Sequence, residues 1–130
     1  MKRVVHTAKA PAAKGPYSQA IIHGGVMYVS GQIPLDPDSG NIIKSTIEEE
    51  TSAILNNLQA IVLESGAAMT DVLKVTCYLT DMDDFSRFNE VYSRYFQIDP
   101  PARTTIEAAR LPLGARVEVD AIVAVSCSPE

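Results

Sequence analysis

At 130 residues the chain is long enough for one well-buried core and too short for two ordinary domains, so a single domain over 1–130 is expected. Its composition is globular, 46% hydrophobic and 21% charged, with no repeat or low-complexity tract. The formal net charge of -5 and the scattered positions of the 11 Lys and Arg argue against a broad nucleic-acid surface, although one well-placed arginine can still bind a small carboxylate.

The N-terminal residues Met1 to Lys9 carry charge but lead into no apolar run of signal-peptide type, and nothing approaches membrane-spanning length. Cys77 sits in an apolar strand pattern and Cys127 in the polar tail, which is not a disulfide framework. A cytoplasmic protein is expected.

In chain order, residues 1–15 predict a short strand and then a loop. Gln19 to His23 and Val26 to Ser30 are strand-like runs joined by Gly24-Gly25, the signature of a tight hairpin. Pro34 to Ser45 is rich in turn residues. Thr46 with Glu49 forms a capping box, Ile54, Leu58, Ile61 and Val62 recur on one helical face, and Gly66 stands at a C-cap position. Val72 to Leu79 alternates as a strand, with Leu73, Val75, Cys77 and Leu79 on the apolar side. Asp81 opens a second helix with the stripe Phe85, Phe88, Val91, Tyr92, Tyr95 and Phe96, closed by Pro100-Pro101. A strand from Arg103 to Ala108, a loop at 112–115 and a strand from Arg116 to Val125 complete the order β, ββ, α, β, α, β, β.

That order predicts an α+β fold: one mixed or antiparallel sheet with both helices on one face. The last strand has Val117, Val119, Ala121, Val123 and Val125 on one side. On the other side Ile122 and Ala124 follow Glu118 and Asp120. Apolar residues on both sides imply that the sheet's open face meets another copy of the chain.

Five positions are candidates for chemistry. Arg103 follows two prolines and a single alanine, so a planar, permanently charged guanidinium projects from a stiff segment, suited to bidentate capture of a carboxylate. The alternative is an ion pair with Glu107 on the same strand face. Glu118, between two valines, must be paired, solvated by a pocket or shifted in pKa, and each state suits a water-activating base. The plainer alternative is a partner for Arg116 or Arg103. Tyr17 follows Gly15-Pro16 and either aims its hydroxyl into a cleft or simply packs. Gly31 marks a close backbone approach, to a ligand or to the next chain segment. Asn89 lies beside the aromatic stripe, to brace a loop or face solvent. His6 and His23 lack metal-ligand spacing, and no Gly-x-Ser-x-Gly, phosphate-cradling glycine loop or Cys-x-x-Cys occurs. Neither metal nor cofactor is expected.

Four segments, Gly15-Pro16-Tyr17-Ser18-Gln19-Ala20, Ser30-Gly31-Gln32-Ile33-Pro34, Pro101-Ala102-Arg103 with Arg110-Leu111-Pro112, and Val117-Glu118-Val119-Asp120-Ala121-Ile122, resemble those of the Rid family in the same order. These are the reactive-intermediate (imine) deaminases, formerly YjgF-like proteins, some of which carry the labels translation initiation inhibitor and endoribonuclease L-PSP. The resemblance runs nearly end to end. It implies a chorismate-mutase-like α+β fold assembled as a homotrimer around a central barrel, with clefts between subunits. It implies hydrolysis of 2-imino acids or their enamines, such as 2-aminoacrylate, to 2-keto acids and ammonia, without cofactor. Arg103 then matches the carboxylate clamp, Glu118 the residue that positions water and Tyr17 a cleft tyrosine facing the neighbour's arginine. Gly31 matches a pocket-lining backbone and Asn89 a supporting asparagine. Thr105 stands where many members have cysteine, which reshapes the pocket floor and removes a thiol. The rival expectations are a non-catalytic small-molecule-binding trimer and an RNA-cleaving or translation-inhibiting protein.

Overall fold

A computed structural model describes residues 1–126, so Cys127 lies outside the described residues. Along the chain come β1 (Arg3–Val5), β2 (Ala20–His23), β3 (Val26–Gln32), α1 (Ile47–Glu64), β4 (Val72–Leu79), α2 (Phe85–Tyr95), β5 (Ala102–Glu107) and β6 (Val117–Ala124). The six strands form one mixed sheet in the order β1-β2-β3-β6-β4-β5. All neighbours are antiparallel except β4 and β5. A parallel pair needs a long crossover, and α2 supplies it.

The local causes match the sequence signals. Gly24 and Gly25 both have positive φ (60° and 78°), as a two-residue hairpin turn prefers. At α1 the Glu49 N–H donates to Thr46 Oγ1 at 3.1 Å, and Gly66 takes φ 85° just beyond the helix. The buried stripe Ile54, Leu58, Ile61 and Val62 then packs with Met27, Val75, Val119 and Val123 in one core, so both helices cover the same side of the sheet. Each such side chain contributes roughly 1.5–3 kcal/mol on leaving water. No described helix is long and apolar enough to cross a membrane.

The structure departs from expectation within β4 and at both ends of α2. Leu73 is half exposed and Val72 is buried instead, because the pairing of β4 with β6 shifts register between Val72 and Lys74. This irregularity resets which residues face inward. Asp81 caps a short 3₁₀ turn (Met82–Asp84) through the Asp83 N–H at 2.9 Å, and α2 begins only at Phe85. Its end comes at Tyr95, well before the prolines, with Asp99 in the left-handed region at φ 45°.

One buried ion pair ties the loop before α1 to the start of β6. Glu50 is 3% exposed and accepts from the Ser45 N–H at 2.9 Å and from Arg116 Nη2 at 2.6 Å. Arg116 Nη2 also donates to the Ser45 carbonyl at 2.6 Å. Arg116→Met leaves that carboxylate buried without its cation. Because Arg116 is itself 41% exposed, the expected loss is about 2 kcal/mol, below that of a fully buried pair. Urea unfolding reads this directly, and an unchanged midpoint contradicts it.

Candidate functional site

The open end of β3 and β6 builds the first half of the site. Pairing between these strands shifts register between Val29 and Gln32. Within that irregularity lies Gly31, and the Glu118 side chain fills the space where a side chain would stand: a Cβ at 31 would lie 1.9 Å from Glu118 Oε2. The glycine therefore makes room for a carboxylate. Glu118 is partly buried, and burial raises its pKa above the ordinary value, with Asp120 on the same strand face adding to the effect. Asp120 accepts a hydrogen bond from the Tyr78 hydroxyl at 2.9 Å, which pushes Tyr78 up to about 12.

Glu118 and Gly31 line a cleft of about 660 Å³, with Tyr17 at its edge. Tyr17 is 53% exposed, and its N–H closes a tight turn onto the Gly15 carbonyl at 2.8 Å across Pro16. The cleft's outer wall is held by Gln19. Its buried amide accepts from the Thr7 N–H at 2.7 Å and donates to the Thr7 and Pro11 carbonyls at 3.1 and 2.9 Å.

The second half is built by β5 and α2. Arg103 Nη1 donates to Asn89 Oδ1 at 2.7 Å, and the guanidinium lies 4.6 Å from the Tyr92 ring centre and 5.5 Å from that of Phe85. Aromatic faces and one acceptor fix the cation while leaving other N–H donors for a ligand. Arg103 is thus not paired with Glu107, which accepts from the Met82 N–H at 2.9 Å instead. Thr105, two residues on, pairs in register with Cys77. Neither Thr105 Oγ1 nor the Tyr92 hydroxyl, both buried, has a nitrogen or oxygen partner. Burial pushes the Cys77 thiol up to about 12, so it stays protonated, and raises Tyr92 as well.

The two halves are on opposite faces of one sheet. Arg103 and Thr105 pair with Val75 and Cys77, whose side chains face the helices. Glu118 pairs with Tyr78 and alternates with the buried Val117 and Val119, so it faces the other way. The Arg103 row, through Val75 and Ala121, lies about 10 Å along the strands from Glu118, and β5 lies about 10 Å across from β6. The structure therefore brings Tyr17, Gly31 and Glu118 together, and separately Arg103, Asn89 and Thr105. It does not join the two sets within one chain. Sequence reasoning missed Tyr92 and Phe85 as supports of Arg103, since an aromatic stripe at helical spacing reads as core.

No cluster of His, Cys, Asp and Glu among the described residues is placed to hold a metal ion. The chain thus presents a fixed arginine and a partly desolvated glutamate from opposite faces of the sheet.

The family model described as endoribonuclease L-PSP matches residues 7–125, and the chain belongs to that family. A RutC family protein of Pyrococcus abyssi is 50% identical over 121 residues, covering 93% of this chain and 95% of that protein. The human 2-iminobutanoate/2-iminopropanoate deaminase is 43% identical over 122 residues, 94% of this chain and 89% of its own length. Among solved structures, Yersinia pestis YyfA, of the conserved Rid protein family, superimposes with a TM-score of 0.94 at 41% identity, covering 96% of this chain and all of that one. The six-stranded sheet with two helices is thus the fold of the Rid and YjgF proteins.

Proposed function

We propose that the protein hydrolyses 2-imino acids, or their enamine tautomers, to 2-keto acids and ammonia in a homotrimer whose clefts join two protomers. The observation that carries this reading is the division of a fixed arginine and a desolvated glutamate between opposite faces of the sheet. Neither half is a site alone. In this assembly Tyr17 and Glu118, on the open face of one copy, meet Arg103 of its neighbour. The exposed Tyr28 and Ile106 and the partly exposed Ile122 on that face give such a contact its apolar surface.

In this mechanism Arg103 binds the substrate carboxylate through donors not used by Asn89, and the Thr105 hydroxyl supplies a further hydrogen bond. Glu118 takes a proton from water as its oxygen bonds to the imine carbon, and the C=N electron pair moves to nitrogen, which is protonated. The carbinolamine then loses ammonia as its hydroxyl oxygen re-forms a C=O bond and gives up its proton. Such imines hydrolyse unaided, so positioning and a local base need to supply only a few kcal/mol. The name of the human relative, 43% identical to this chain, supports the imine reading. A ribonuclease finds less support: Arg87, Arg94 and Arg116 are each paired with an acid, and the chain's formal net charge is -5.

The test couples threonine dehydratase with threonine to semicarbazide trapping of the imine. The wild-type protein is expected to deplete the trapped product. Glu118 acts ionised, and its pKa is raised in the folded protein, so the acid limb of activity is expected above the ordinary 4.5. Asp120→Asn removes the neighbouring like charge, and the limb moves to lower pH. A raised carboxyl pKa also means that ionising Glu118 costs stability as pH rises from the ordinary value through the raised one. Undiminished trapping with both threonine- and serine-derived imines would refute the deaminase reading and favour a ligand-sensing trimer.

A further inference from the structure

In the single chain the cleft has a volume of about 660 Å³, more than a three- or four-carbon imino acid fills before a neighbouring copy closes over it. Beside the polar Lys14, Gln19, Ser30 and Gln32, half of the cleft's lining beyond Glu118 and Tyr17 is aliphatic: Pro11, Ala12, Ile33, Leu35, Pro112 and Leu113. Leu113 stands out among them. Its backbone lies in the left-handed region (φ 57°, ψ 24°), where leucine is disfavoured and glycine or asparagine is at ease. Its side chain is 66% exposed, so packing within the chain does not explain it either. Gly114, also left-handed at φ 70°, follows and turns the chain back toward β6. The loop thus holds a strained, largely uncovered leucine on the wall of the cleft that contains Glu118. Strain of this kind is characteristic of sites where a side chain must be aimed.

We infer that Leu113, with Leu35 and Ile33, forms a subsite for the substrate's aliphatic side chain, and that the preferred substrates are imino acids with side chains of leucine or methionine size. This rests on the imine-hydrolysing reading above and adds a substrate class to it. The small imines enter the same cleft but leave the aliphatic wall in contact with water.

The experiment generates imines from leucine and from alanine with an amino-acid oxidase and reads clearance by semicarbazide trapping. For the wild type, kcat/KM is expected to be higher for the leucine-derived imine. Leu113→Asn, which suits the left-handed backbone, lowers the ratio of the two constants about tenfold. Leu113→Met, apolar and of similar volume, keeps the ratio near that of wild type. A ratio unchanged in Leu113→Asn overturns the subsite while leaving the deaminase reading standing. If Leu113→Asn instead weakens assembly at an unchanged ratio, the side chain belongs to the contact between copies and the subsite is again overturned. A wild-type protein that clears neither imine overturns the activity itself, and the subsite with it.

Discussion

Co-expression of Arg103→Ala with Glu118→Gln is expected to restore imine clearance that neither variant shows alone. In the proposed trimer each single substitution removes one half of every shared cleft. Arg103→Ala removes the charge-assisted clamp and is expected to lower kcat/KM by about 10²-fold or more. Random mixing of the two chains in a closed ring pairs an intact Arg103 with an intact Glu118 at about one quarter of the interfaces. Activity should therefore return to about one quarter of wild type at equal expression, and it should vanish if the two chains are purified apart. The reason lies in strand register: Arg103 faces α2 and Glu118 faces the open side, so one chain cannot supply both groups to one substrate. A single-chain site makes a different prediction, namely no recovery at any mixing ratio.

Gly31→Ala is expected to leave the fold nearly intact and lower kcat by about 10²-fold, the cost of displacing a reacting group by roughly an ångström. The added Cβ would meet Glu118 Oε2 at 1.9 Å, its Cδ at 2.9 Å and its Cγ at 3.3 Å. All three atoms belong to the outer part of a flexible side chain, which can swing aside at little cost in stability. What it cannot do is keep its carboxylate in place. Thermal unfolding should stay within a few degrees of wild type while activity falls. Adding Glu118→Gln to Gly31→Ala should then cost little more, because both changes remove the same function. Full additivity of the two would show that Gly31 serves the ligand through its backbone and not through Glu118.

The element order was legible because apolar residues repeat at helical or strand spacing over long runs, as in α1 and β6. Leu73 was misplaced because periodicity cannot reveal a register shift, which depends on the partner strand β6. The end of α2 was misplaced for a related reason: Pro100-Pro101 forbids a helix there, but the chain leaves it earlier, at Tyr95. For the site, Glu118 stood out by contrast with the flanking valines. Arg103 was singled out, yet its orientation was hidden, because Arg103, Thr105 and Glu107 make one side of β5 wholly polar, the mark of an outer face, while the structure turns Arg103 toward α2. The separation of the two halves emerges only when β5 is set in register against β4. Gly31 was legible as a close approach, but its neighbour there proved to be the Glu118 side chain. Gln19 lies in one of the most informative sequence segments and serves mainly to stitch the N-terminal loop into the cleft wall.

The position of β6 bears on how the chain reaches its native state. This strand follows the other five in sequence yet lies between β3 and β4 in the sheet. Synthesis runs from the N-terminus, so β1 to β3 and the β4-α2-β5 segment emerge first as two parts with nothing between them. Until residues 117–124 arrive, β3 and β4 each expose an unpaired hydrogen-bonding edge beside side chains such as Met27, Val75 and Cys77 that are fully buried in the finished protein. Most of the pairing that closes the sheet is long-range, which slows folding and lengthens that exposure. The strand that carries Glu118 is therefore also the one that seals the sheet, and a chain stopped short of it has neither the carboxylate nor a closed fold in which to hold one.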